Sequence, residues 1–185
     1  MAIMDIIEQR KSVRKYLEKS IPREHIVKCI EAARLAPSAD NMQPWRFIVL
    51  DDRELIQKLT SAVCTGICRR TRFIGNAAAI IVILADLHLV IHRMGAAIFG
   101  TQHYLLDIGI AGEHIVLQAQ ELGIGTCWIN LFNAKAARKL LRVPKKYRVV
   151  SMIAMGYPAE GGTRNRPDLP MEKILFFNTE WKNIL

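Results

Sequence analysis

A single α+β domain is the fold class this chain predicts, and three observations carry the prediction. Its 185 residues suffice for one sizeable core and not for two. Short apolar runs, one of them strongly β-branched, alternate with segments of helical period. No repeat, linker or low-complexity stretch divides the sequence.

The elements follow in order. Ile3, Ile6 and Ile7 share one face of a short amphipathic helix that delivers Arg10 at its C-terminal end. Ser20-Ile21-Pro22-Arg23-Glu24 is a helix-start signature, since proline is tolerated in a first turn. That helix runs to about Ala36 with Ile26, Val27, Ile30 and Ala33 as its buried stripe, and Pro37 ends it by disfavouring helical geometry in the residue before it. Arg46 to Leu50 reads as a strand, Asp52 as the cap of a helix through Leu59, and Ala77 to Ala85 as a strand buried on both faces. A long helix spans His103 to Leu122, broken by Gly123 and Gly125 before a third strand, Thr126 to Ile129. Asn133 caps a helix to Leu141, Pro144 closes it, and Val149 to Met155 forms a fourth strand. After the turn Gly156-Tyr157-Pro158 comes an irregular basic segment, then a fifth strand from Met171 to Phe177. The tail, with Phe176, Phe177 and Trp181, is too apolar for water and is expected to pack on a partner subunit.

Composition narrows the class further. With 51% hydrophobic and 23% charged residues the chain is globular. The N-terminus lacks a cationic start followed by an apolar run, and Ala77 to Ala85 is far too short to span a bilayer, so a soluble, cytoplasmic protein is expected. The net charge of +9 favours anionic partners. Its cations fall in separate segments: Arg69-Arg70-Thr71-Arg72, the helix bearing Lys135, Arg138, Lys139 and Arg142, and Lys145-Lys146-Tyr147-Arg148. Zinc-finger spacing and RNP aromatics are missing, which speaks against a nucleic-acid module. Cys29 and Cys127 lie in apolar stretches as small core residues. Cys64 and Cys68, at helical i, i+4 spacing, could join His88, His92 or His103 in a metal site, but neither CxxC nor HExxH spacing occurs.

Two strings fit neither a core helix nor an ordinary turn. Arg10-Lys11-Ser12-Val13-Arg14 alternates so that Arg10, Ser12 and Arg14 project on one side of an extended segment. Guanidinium forks grip phosphate oxygens bidentately and stay charged at any working pH. A solvated helix end, its cations complementing the macrodipole, accounts for the same residues equally well. Pro37-Ser38-Ala39-Asp40-Asn41-Met42-Gln43-Pro44-Trp45 places Ser38, Asn41 and Gln43 between two prolines, a rigid polar loop suited to the hydrogen-bonding edge of a ring system. The plainer reading is a helix-to-strand connection over a buried Trp45.

In these strings the chain resembles the nitroreductase-like flavoproteins. The matching residues are Arg10-x-Ser12-x-Arg14-x-Tyr16 and Ala36-Pro37-Ser38-Ala39-x-Asn41-x-Gln43-Pro44-Trp45-x-Phe47. Asp107-x-Gly109-x-Ala111, Leu122-Gly123-x-Gly125-x-x-Trp128-Ile129, Gly156-Tyr157-Pro158, Arg164-x-Arg166 and Pro170-x-Glu172 continue the family's order along almost the whole chain. The resemblance implies a central, mainly antiparallel sheet flanked by helices, a C-terminal segment packed on the partner, and a homodimer with FMN at its interface. It further implies that Arg10, Lys11, Ser12 and Arg14 hold the phosphate and ribityl end, joined by Arg164 and Arg166. Pro37, Ser38, Asn41 and Gln43 would reach the flavin from the other subunit, and Ile129 and Asn130 would run beside the isoalloxazine. The chain departs from the family at Asn130-Leu131, where many relatives carry glycine, or an acidic residue followed by glycine, which bears on substrate access and the local backbone geometry.

The implied activity is ping-pong transfer of reducing equivalents from NADH or NADPH to a nitroaromatic, quinone or similar acceptor, with no catalytic side-chain acid or base. The flavin carries the chemistry and the protein supplies position and electrostatics. Alternatives are non-nicotinamide chemistry on the same fold, such as dehalogenation or substrate oxidation, and a basic nucleic-acid-binding domain. GxSxG, HExxH and Walker patterns do not occur, and Gly123-x-Gly125 precedes a strand, opposite to a dinucleotide-binding turn. Residues 61–102 match no motif and are expected to shape the substrate pocket.

Overall fold

The computed structural model describes residues 2–87, 102–159 and 167–178. Four strands pair antiparallel in one sheet: β1 (Trp45–Leu50), β2 (Ala79–Asp86), β3 (Gly125–Ile129) and β4 (Tyr147–Gly156). Their spatial order is β1-β2-β4-β3. Every residue of β2 is buried, which explains its unbroken apolar run: both faces of this strand are covered. The period of two still sorts its side chains. Ala79, Ile81 and Ile83 pack with the helices α2 (Arg23–Arg34) and α4 (His103–Glu121) on one face. Ile80, Val82 and Leu84 pack with α3 (Arg53–Val63) and α5 (Ala134–Leu140) on the other. The α+β layering with a central antiparallel sheet is therefore as the sequence predicts, and the register slips once, between Ile83 and Leu84.

Locally encoded features fall where expected. Asp52 Oδ1 accepts from Leu55 N at 2.8 Å and Asn133 Oδ1 from Ala136 N at 3.0 Å, each satisfying a backbone donor at its helix start. The first helix, α1 (Ile3–Gln9), ends at Arg10, whose backbone turns extended. Its apolar face stays largely open: Ile3 and Met4 are exposed and Ile6 is half-buried.

Three expectations need correction. In α2 the buried residues are Ile26, Cys29 and Ala33, while Val27 is 64% exposed. Val27 sits one residue, about 100°, off the Ile26 face. Pro22 takes the N-cap position itself, without a side-chain cap. The segment from Met171 is not a fifth strand but a short three-ten turn, Met171–Lys173, exposed throughout and paired with no strand of its own chain. Residues 66–76, unassigned in the sequence, form a run of three-ten turns, Gly66–Asn76. Trp181, His88 and His92 lie outside the described residues. Among those described, no three His, Cys, Asp or Glu side chains gather as metal ligands, and no helix is long and apolar enough to cross a membrane.

Candidate active site

The Arg10–Arg14 string is a strap along the free edge of β3. Ser12 bridges to Thr126 in parallel fashion, and Val13 N donates to Thr126 O at 2.8 Å. Val13 points into the core while Ser12 and Arg14 face outward, the alternation expected of an extended segment. The strap covers the otherwise unpaired edge of the strand.

Two glycines make this approach possible. A Cβ on Gly125 would stand 2.6 Å from Val13 Cγ2, and one on Gly156 would stand 2.7 Å from Tyr16 Cδ1. Only a residue without a side chain lets the strap lie this close to the sheet. Tyr16 locks it from below, donating its hydroxyl to Val13 O at 2.7 Å, and burial pushes its phenol well above the ordinary range.

Burial pushes the Cys127 thiol up, while Arg14, a hydrogen bond with Ser12 and, most weakly, Arg10 pull it down. Arg10 Nε also stands 4.0 Å from Glu113 Oε1 on α4, a partly exposed pair of the kind that contributes little stability. Cys29 is fully buried, its thiol pushed up to about 12 by desolvation. Both behave as the core cysteines expected.

The Pro37–Trp45 loop is built differently. Asp40, Asn41 and Gln43 have φ of 49°, 52° and 48°. The left-handed region costs a residue with a side chain about 1–2 kcal/mol, less for Asp and Asn, so Gln43 is the strained one. Inside the loop Gln43 N donates to Ser38 Oγ at 2.9 Å, and Gln43 Nε2 to Asn41 Oδ1 at 2.8 Å. Met42 and Trp45 anchor it in the interior, while Asn41 and Gln43 stay exposed.

One bond ties the loop to the helical layer: Ala39 N donates to Asp107 Oδ1 at 3.1 Å. Asp107 is buried on α4 and its Oδ2 has no partner among the described residues. Desolvation pushes its carboxyl up, against the Ala39 bond and His103. The sequence holds the signal for this role, a lone acidic residue on the apolar face of a helix.

At the exit of β3, Ser151 Oγ lies 2.7 Å from Asn130 Oδ1 and 3.2 Å from Ile129 O. The departure from glycine is thus accommodated by a buried serine that holds the Asn130 side chain. Leu131 is 41% exposed, and its carbonyl accepts from Thr71 Oγ1 at 3.2 Å, bringing the 66–76 turns beside this exit. Trp128 packs over α4, where a Cβ on Gly112 would come within 2.1 Å of its ring.

Arg10, Ser12 and Arg14 lie along one extended segment, and the strand it follows leads to Ile129 and Asn130. Lys11 lies half-buried in the same strap. Pro37, Ser38, Asn41 and Gln43 belong to the separate loop. Asp107 beside the loop and Glu113 beside the strap are six residues apart on α4, about 9 Å along the axis and 120° apart around it. Loop and strap of one protomer therefore meet different faces of this helix. Arg164 and Arg166 lie outside the described residues.

An antiparallel sheet between helical layers, with an arginine-bearing strap along its edge strand, defines an α+β protein. Comparison with known proteins makes the class specific. The model of the nitroreductase family matches residues 7–67 and 68–157. A relative from Archaeoglobus fulgidus that carries the name NADH dehydrogenase/NAD(P)H nitroreductase is 37% identical over 161 residues, 85% of this chain and 86% of its own. The solved structure of an FMN-dependent nitroreductase from Clostridium difficile shares 34% identity and a TM-score of 0.78, covering 96% of this chain and 99% of that one. Iodotyrosine deiodinase of Thermotoga neapolitana is 22% identical over 195 residues, 96% of this chain and 98% of its own. The chain belongs to the nitroreductase family and is an oxidoreductase enzyme.

Proposed function

We propose that the protein is an FMN-dependent oxidoreductase that passes reducing equivalents from NADH or NADPH to an oxidised small acceptor, a nitroaromatic, a quinone or a similar compound. The observation that carries this reading is the strap: Arg10, Ser12 and Arg14 lie on one extended segment along the edge of β3, seated there by Gly125 and Gly156. Two guanidinium groups and a hydroxyl fit the donor set that a phosphate monoester needs. Arg10, Lys11, Ser12 and Arg14 would hold the phosphate and ribityl end, with Arg164 and Arg166 closing from the C-terminal side.

Pro37, Ser38, Asn41 and Gln43 would serve the flavin of a second subunit, making two composite sites in a homodimer. Support comes from the different faces of α4 that loop and strap occupy, and from the apolar side chains that α1 and the 167–178 segment leave exposed. Ile129 and Asn130 would flank the ring. When bound, FMN supplies the redox chemistry, accepting reducing equivalents from the nicotinamide and releasing them to the acceptor. The protein's part is to orient, to hold charge and to leave one face open to the two substrates in turn, so no side-chain acid or base is assigned. A cytoplasmic site of action agrees with this reading.

The test is spectroscopic. Purified protein supplemented with FMN should turn yellow and bleach anaerobically with NADH or NADPH, and an acceptor screen should restore the colour. Protein that stays colourless in saturating FMN would overturn the reading. The deiodinase relative favours a second reading, dehalogenation of a halogenated phenol on the same fold. Slow bleaching by both nicotinamides, together with halide release from iodotyrosine under dithionite, would select it.

A further inference from the structure

The chain's positive charge is not scattered. From residue 122 to residue 159 there are seven Lys and Arg and no Asp or Glu, so this stretch carries most of the net +9. Two cationic segments that look separate in the sequence meet in space. Lys135, Arg138, Lys139, Arg142 and Lys145, with Val143, surround one depression of about 430 Å³. No described carboxylate pairs with any of the five. A helix C-terminus attracts a cation or two in its last turn, here Arg138 and Lys139, but the macrodipole does not account for Lys135, Arg142 and Lys145, which lie outside that turn.

The backbone adds an independent sign. α5 ends in a Schellman turn: Val143 N donates to Arg138 O at 3.0 Å and Arg142 N to Lys139 O at 3.3 Å. The residue after the cap of such a turn is left-handed and is usually glycine. Here it is Arg142, with φ of 50°. Glycine there would be more stable, yet the chain carries a guanidinium at the rim of the depression. Arg138 is pre-set as well, its Nε donating to Val143 O at 3.2 Å.

We propose that this depression binds a compact anion bearing two or more phosphate groups, at a site separate from the arginine strap. The small extent of this shallow, open depression favours such a ligand over a nucleic-acid backbone, which needs an extended basic track and stacking aromatics. No aromatic side chain lines the depression.

Titration calorimetry of the FMN-saturated protein with inorganic tripolyphosphate tests the proposal, because saturation removes the strap as a competing phosphate site. Saturable binding is expected, weakening about tenfold in Arg142→Gly and in Lys139→Ser, with flavin content unchanged. Arg142→Gly should meanwhile raise Tm by roughly 2–4 °C, because it relieves the left-handed strain. That opposition of stability and affinity separates ligand binding from a structural role. No saturable binding at millimolar tripolyphosphate, or equal affinity in both variants and the parent, would overturn the proposal. So would tighter binding of a DNA duplex or of phosphatidylserine vesicles that is lost in Arg142→Gly, which would assign the patch to an extended polyanion.

Discussion

The strap and the loop, the two polar strings of this chain, are held by opposite means. The strap is finished inside one protomer: a backbone bond to β3, two glycines cut to its shape, and Val13 and Tyr16 sunk into the core. The loop also sinks Met42 and Trp45 into the interior, but its polar part is held by its own side chains, one bond from Asp107 and left-handed residues, with its amides turned outward. A binding element can thus be rigid because the fold supports it or because it is internally braced. The second kind is suited to being offered to another subunit.

The sharpest way to break the comparison is Gly125→Ala. The new methyl meets Val13 Cγ2, and overpacking of this sort costs about 1–3 kcal/mol. A lowered denaturation midpoint together with loss of flavin is expected. Unchanged stability would show that the strap is not seated by this glycine. Next, Arg14→Ala should reduce FMN affinity by about ten- to a hundredfold, as lost charge-assisted bonds do, while Tm hardly moves, read by fluorescence quenching of FMN.

For the loop, Asp107→Leu should weaken FMN binding about tenfold, whereas Asp107→Asn, which keeps an acceptor for Ala39 N, should restore most of it. Asp107 also predicts a pH dependence. Burial raises its folded pKa above the unfolded value, so ionisation opposes folding. The parent should lose stability relative to Asp107→Asn as pH rises from about 4 through the raised value, and the difference should vanish below the unfolded pKa. A flat difference in urea midpoint across that range would refute the assignment.

The smallest single effect is expected from Ser38→Ala, about 1 kcal/mol for the lost acceptor of Gln43 N. Its value lies in mixing. Heterodimers of Arg10→Ala and Ser38→Ala subunits should hold one intact site, and flavin titration of the purified heterodimer should find it. Without such recovery, strap and loop serve the same subunit.

What the sequence made legible was local. Asp52 and Asn133 cap helices through their nearest neighbours, Pro37 ends one by its own ring, and β2 declares its burial by composition. The strap's alternation was visible for the same reason. Hidden were features that depend on a distant partner: Gly125 beneath Val13, Gly156 beneath Tyr16, Gly112 beneath Trp128, and Ser151 behind Asn130. The 171–177 segment shows the limit from the other side. Its apolar run looks like a strand, but the segment stays exposed and pairs with none of the described strands.

Helix α4 has a consequence for how such a chain can change. Asp107 answers to the loop and Glu113 to the strap, with Gly112 fitted under Trp128 between them. One residue inserted between positions 107 and 112 would swing everything beyond it by about 100° and advance it 1.5 Å. Trp128 would then face a side chain instead of a notch, and Arg10 would lose Glu113, while the loop kept Asp107. Exposed positions of α4 can be substituted one at a time, but its length between these positions cannot vary. Insertions and deletions in descendants of this chain should therefore fall outside residues 107–113.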